Sequence, residues 1–213
     1  MKRLLALATL LMLFGAMPAR ADYEAGLKLV REAKYQQAYA AFLPMAESGH
    51  APSQFSIALL YHLGRGMRQD LKKAYDWYKK AAMQEHPGSM NNLGMMYLNG
   101  EYVTQNRAVA FKLFEKASVE FAQAKDNLGQ CYEHGWGVEQ DIGQAVNFYQ
   151  LAGDAGFFMG YYHAGEVFEK GYADEARDLD TAVEWYIKAA EKGLQKARTR
   201  LIELKRLPDD LRK

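Results

Sequence analysis

Apolar residues along this chain recur at helical spacing, in short segments broken by glycine-bearing loops. Four blocks carry the same arrangement: Phe55 to Ala82 (FSIALLYHLGRGMRQDLKKAYDWYKKAA), Asn91 to Ser118, Asn127 to Gly153, and Tyr162 to Ala190. Tyr61, Tyr97, Tyr132 and Phe168 stand at intervals of 36, 35 and 36, as do Gly64, Gly100, Gly135 and Gly171. Ala74, Ala110, Ala145 and Ala182 follow at intervals of 36, 35 and 37. The pairs Trp77-Tyr78, Leu113-Phe114, Phe148-Tyr149 and Trp185-Tyr186 complete the pattern. Each block therefore predicts two helices. The first carries small and large apolar residues such as Ile57, Ala58 and Tyr61, and ends at the recurring glycine, which can close a helix in the left-handed conformation.

A loop follows, with a second glycine in two copies, Gly66 and Gly137. Asp70, Asn106, Asp141 and Asp178 each stand four residues before the recurring alanine, the place for a side chain that caps the second helix. The second helix carries the alanine and the aromatic pair on one stripe, and Gly49, Gly156 and Gly193 close it. A fifth pair, with no loop between its helices, precedes these blocks from Tyr23 to Gly49. A final helix from Lys196 to Leu207, rich in Lys and Arg, has the polar outer face that the end of a stacked array requires. The expected fold is all-α: an alpha-alpha superhelix, or solenoid, of about five stacked helix-turn-helix units with a C-terminal capping helix. The expected boundaries are 22–50 for the N-terminal pair, 51–86, 87–122, 123–158 and 159–195 for repeats 1 to 4, and 196–213 for the cap and tail.

The pattern LG-x-x-Y-x-x-G, a loop with Asp, then A-x-x-W/F-Y-x-x-A-A and a closing glycine resembles the Sel-1-like repeat, a relative of the tetratricopeptide repeat. The likeness runs from about Ala51 to Gly193. Leu113 replaces the usual Trp or Tyr, Glu85 and Phe121 stand where the closing glycine is expected, and the fourth loop is one residue longer. The resemblance implies an α-solenoid that mediates protein assembly, often in bacterial envelopes.

Composition changes this picture little, but the N-terminus adds a destination. Lys2 and Arg3 precede an uncharged apolar run from Leu4 to Phe14, broken by Gly15 and Pro18. Ala19-Arg20-Ala21 then offers small residues at the cleavage positions. Residues 1–21 read as a secretory signal peptide cleaved after Ala21, which leaves no stable membrane anchor and sends the chain to the periplasm or outside the cell. Losing Lys2, Arg3 and Arg20 leaves 24 basic and 26 acidic residues, a net charge of −2. That argues against a nucleic-acid partner. Cys131 is the single cysteine, so no internal disulfide can form.

First-helix positions not used for packing are free to contact a partner: Phe55, Leu59 and His62 in the first block, Asn91, Met95 and Asn99 in the second, Gln130 and Glu133 in the third, and Tyr162, Glu166 and Glu169 in the fourth. They are apolar early and acidic late, suiting a protein or peptide with an apolar part and a basic part. Packing against adjacent helices explains the aliphatic members equally well.

Little in the sequence suggests catalysis. His50, His62, His86, His134 and His163 form no metal pair at helical spacing. The repeated Asp and Asn residues are explained together as caps, and Cys131 as a small buried apolar residue. The expectation is a non-enzymatic adaptor with no cofactor and no metal. The alternatives are a cell-wall- or β-lactam-directed enzyme or binder, or a structural part of an envelope secretion or motility complex. Cysteine-rich relatives that act on β-lactams carry paired cysteines in each repeat, and Cys131 stands alone.

Overall fold

The computed structural model describes residues 22–172 and 176–212; the expected signal peptide, residues 1–21, lies outside the described residues. Among them the fold is all-α. Residues 22–31 form α1. Then come α2 (Tyr35–Glu47), α3 (Ala51–Leu63), α4 (Leu71–Ala82), α5 (Pro87–Asn99) and α6 (Arg107–Ala117). They are followed by α7 (Ala122–His134), α8 (Ile142–Asp154), α9 (Met159–Lys170), α10 (Leu179–Glu191) and α11 (Gln195–Glu203), with a 3-10 turn at Asp209–Arg212. The odd-numbered elements through α9 are the first helices of the predicted pairs and the even-numbered ones are the second.

The chain forms two compact units, one through Leu93 and the other from Gly94. In the first, Ala38, Phe42, Ile57 and Leu60 make one core cluster. In the second, three clusters follow one another: Ala110, Phe114, Leu128 and Cys131; then Ala145, Tyr149, Ala164 and Val167; then Ala182, Tyr186, Ala189 and Leu201. Each core thus combines the recurring alanine and aromatic of a second helix with first-helix residues. Burying one such aromatic contributes about 1.5–3 kcal/mol.

Local chemistry sets the helix ends. The side chains of Asp70, Asn106, Asp141 and Asp178 accept from the backbone N–H three residues on, at Lys73, Val109, Gln144 and Thr181, as their spacing predicts. Gly64, Gly100 and Gly135 take positive φ at the ends of first helices. Gly171 departs from them, with φ 72° and ψ 163°, where the fourth loop is one residue longer. Glu85 adopts φ 59° in place of a closing glycine, but Phe121 has φ −121° and heads α7 instead. The turn after α6 is therefore closed without a left-handed residue.

The second loop glycine has a strict requirement. A Cβ on Gly137 would lie 2.3 Å from the Arg107 carbonyl oxygen, at φ +78°. One on Gly66 would lie 2.7 Å from Tyr35 Cβ, at φ +76°. The corresponding residue of repeat 2 is Tyr102, which adopts the same left-handed conformation with φ 66°. Loop geometry is thus conserved within the chain where residue type is not. The last helix is shorter than the expected Lys196 to Leu207: α11 ends at Glu203, and Lys205 takes φ 57° ahead of Pro208.

Candidate functional site

One contact recurs in the helix pairs. A small residue of the first helix lets the second-helix aromatic lie against the backbone. A Cβ on Gly26 would meet the Phe42 ring at 2.3 Å, on Gly94 the Phe114 ring at 2.5 Å, on Gly129 the Tyr149 ring at 2.5 Å, and on Gly165 the Tyr186 ring at 2.6 Å. Ala58 holds this place in repeat 1. One helical turn later, on the same face, stand Val30, His62, Leu98, Glu133 and Glu169.

Those five residues match their aromatic partners. Where the aromatic is Phe, the residue is apolar: Val30 with Phe42, Leu98 with Phe114. Where it is Tyr, the residue binds the hydroxyl. His62 Nδ1 lies 3.3 Å from the Tyr78 hydroxyl, Tyr149 donates to Glu133 Oε2 at 2.5 Å, and Tyr186 donates to Glu169 Oε2 at 2.7 Å. The rings are fully buried, so a hydroxyl there needs a partner. Burial, and then the facing carboxylates, push the Tyr149 and Tyr186 phenols above their ordinary range. They act as hydrogen-bond donors.

In the second unit these carboxylates join a polar network across successive first helices. The Tyr172 hydroxyl donates to Glu133 Oε1, and Lys170 Nζ lies 3.8 Å from the same oxygen. Asp126 is buried, takes His163 Nδ1 at 2.7 Å and accepts from Gln130 at 2.9 Å. Glu169 accepts from the Arg200 guanidinium through both oxygens, one contact being 3.0 Å, and Arg177 lies 3.4 Å away. The Arg200 hydrogen bonds, aided by Tyr186, hold the Glu169 carboxyl below the usual range despite partial burial. α11 is fastened to α9 by this pair.

Tyr162, Glu166, Glu169, Lys170, Arg177, Arg200 and Glu203 line a cavity of about 480 Å³ between α9, the following loop and α11. Burial, with Glu166 alongside, pushes the Tyr162 phenol up to about 12.

The residues expected to face a partner divide on this geometry. Tyr162, Glu166 and Glu169 come together at the cavity, Tyr162 buried and the two carboxylates half-buried. Glu133 is 5% exposed and Asn91 1% exposed. Phe55 is half-buried, with its ring 4.7 Å from His86 and 6.0 Å from Tyr78. Met95 packs against the Leu98–Phe114 cluster. Leu59, His62 and Gln130 are half-buried, and Asn99 is exposed.

Tyr172, His163, Arg177 and Arg200 belong to the network without having been picked out from the sequence. They reach the carboxylates from 8 to 39 residues away, and the helical spacing within one repeat carries no signal for that. Cys131 is fully buried, and burial raises its thiol to about 12. The His134 ring lies 4.5 Å from the Trp136 ring, tilted by 45°. Among the described residues no group of three or more His, Cys, Asp or Glu is placed to hold a metal.

Comparison with known proteins agrees with the repeated contact. The Sel1 repeat profile matches residues 51–86, 87–118, 122–157 and 159–194. The chain belongs to the Sel1 repeat family. The break after 118 falls where α6 is closed without a left-handed residue. A solved Sel1 repeat protein from Oxalobacter formigenes aligns over 86% of this chain and 76% of its own, with a TM-score of 0.74 and 23% identity, a likeness of fold.

Chitin synthase regulatory factor 3 of Schizosaccharomyces pombe is 25% identical over 74% of this chain and 26% of its own length. An ERAD-associated E3 ubiquitin-protein ligase component of Arabidopsis thaliana is 36% identical over 47% of this chain and 16% of its own length. This Sel1 repeat chain spans about a quarter of the first relative and about a sixth of the second.

Proposed function

We propose that this protein is a non-catalytic interaction module of the bacterial cell envelope. It is exported by residues 1–21 and binds a partner protein or peptide through the first helices of its Sel1 repeats. The observation that carries this reading is how the charged groups on those helices are used. Glu133 and Glu169 accept from the phenols of Tyr149, Tyr172 and Tyr186. The phenols satisfy lone pairs of these carboxylates, and Lys170 on Glu133 with Arg200 and Arg177 on Glu169 balance their charge, so the face is held rigid while it stays polar. A rigid, polar face suits recognition of another chain. The curated relatives support it: one is named a regulatory factor and another a component of a ubiquitin-ligase assembly. The charged start, apolar run and Ala19-Arg20-Ala21 support export.

Site-specific photo-crosslinking in the producing cell tests the face. A crosslinker at Gln130 or Glu166 should trap a partner, whereas one at the exposed second-helix positions Lys112 or Glu184 should not. Trapping from the second-helix positions alone would overturn the proposal. Export is read by N-terminal sequencing of protein from the envelope or medium, which should begin at Asp22.

A further inference from the structure

We infer that Asp126 is a positioning residue for recognition. It fixes the tautomer of His163 and the amide of Gln130, so that both side chains present hydrogen-bond acceptors to N–H groups of a bound polypeptide segment. This rests on the reading that the first helices bind a polypeptide, and it names the chemistry of one contact.

Asp126 lies on α7 and is 2% exposed. Its Oδ1 is 2.7 Å from His163 Nδ1 on α9, and its Oδ2 accepts from Gln130 Nε2 at 2.9 Å, one turn further along α7. A carboxylate can only accept, so both contacting nitrogens carry hydrogen. For His163 this makes the neutral ring the Nδ1–H tautomer, with a bare lone pair on Nε2. For Gln130 it turns the amide so that Oε1 is the atom left over. Among the described residues neither His163 Nε2 nor Gln130 Oε1 has a hydrogen-bond partner. No side-chain nitrogen or oxygen there is both buried and unpartnered, so these two atoms reach the surface.

The imidazole is also held in place. Its centroid lies 5.4 Å from that of the Tyr149 ring and 6.2 Å from that of the Tyr162 ring, and the side chain is 20% exposed. Stapling one repeat to the preceding one needs a single nitrogen. Asn92, at the corresponding place of repeat 2, does this with its carboxamide, which donates to the Tyr78 hydroxyl at 2.9 Å. The imidazole adds a second nitrogen, directed away from the first. Two acceptors with no donor beside them suit the N–H groups of a polypeptide. A carboxylate or phosphate placed against them would meet only lone pairs.

The test has a spectroscopic arm and a binding arm, both on the full protein. Long-range proton–nitrogen NMR in alkaline buffer, where imidazole rings are neutral, should find His163 Nδ1 protonated and Nε2 bare, the reverse of the preference of free imidazole. Asp126→Asn, whose carboxamide can donate, should release the ring to the Nε2–H form. A ring that is Nε2–H in the parent, or a tautomer unchanged by Asp126→Asn, would overturn the positioning role.

The binding arm is the in-cell photo-crosslink from Glu166. His163→Asn keeps a donor for Asp126 and removes Nε2, so it should melt with the parent yet trap the partner about tenfold less, the effect of one lost hydrogen bond that leaves a donor unpaired. Asp126→Asn should lower trapping to a similar extent, because it turns Nε2 from acceptor to donor. Full trapping by both variants would overturn the recognition role and leave the first-helix face standing. If the parent traps only from Lys112 or Glu184, the face falls and this contact falls with it.

Discussion

Repeat 2 offers a ready-made replacement for the buried polar pair of repeat 3, and exchanging them is a quantitative test of how these repeats are built. Tyr149 is 1% exposed and Glu133 5% exposed, and their hydrogen bond is 2.5 Å. Tyr149→Phe removes one donor from a buried carboxylate. A hydrogen bond to a charged group contributes about 1.5–3 kcal/mol, so a loss of about 2 kcal/mol is expected. Glu133→Leu strands the Tyr149 hydroxyl in the core, at a cost of about 1–3 kcal/mol. The double variant recreates the Leu98–Phe114 arrangement, in which both side chains are apolar and buried. It should lose no more than about 1 kcal/mol, because Tyr172 is only half-buried and can turn to water.

The coupling between the two sites is then about 2 kcal/mol or more in favour of the double variant. For a protein of this size 1 kcal/mol corresponds to roughly 2–4 °C in Tm. Each single variant should therefore melt about 4–8 °C low, and the double variant close to the parent, in thermal unfolding followed by far-UV circular dichroism. If the two single losses simply add, within about 0.5 kcal/mol, the matching of Tyr to an acceptor and Phe to an aliphatic is coincidental and the reasoning fails.

Other expected outcomes follow from the turns and caps. Gly137→Ala should destabilise by more than the roughly 1 kcal/mol typical of a glycine-to-alanine change at positive φ, because its Cβ meets the Arg107 carbonyl; a urea melt reads it. Asp141→Ala removes the cap on Gln144 N–H and should cost about 1 kcal/mol in the same assay. His86 accepts from the Ser89 N–H through Nδ1, and burial, then His50, lowers its pKa below 6.5. Its neutral form is the folded one. The contribution is therefore complete above about pH 6.5 and falls as the pH drops through the lowered value. Melts between pH 7 and pH 5 should show the parent losing more stability than His86→Gln; equal slopes would refute this.

Much of the candidate site could be read before the structure. Glu133, Glu166 and Glu169 stand out because the register assigns their neighbours to packing and leaves these as charged residues on first helices. Their partners could not be read the same way. Arg200 and Tyr172 lie 31 and 39 residues from the carboxylates they reach, beyond one repeat interval or close to it. Only the stacking of α11 on α9 and the path of the fourth loop bring them in. The same limit explains Glu133: an acidic residue on a helix reads as solvent-facing, and two phenols from elsewhere turn it inward.

By itself, the sequence determined the helical pairs, their caps and their register. Each depends on interactions within a few residues, such as Asp141 with Gln144 or Gly129 with the aromatic of its own pair. Features that need two segments at once come from the packing of the folded chain. These are the left-handed turn at Tyr102 where two other copies have Gly66 and Gly137, the acid-phenol network, and the cavity between α9 and α11. Hydrogen bonds and charge pairing act over a few ångströms in space, and separation along the chain does not reveal which groups meet at that distance.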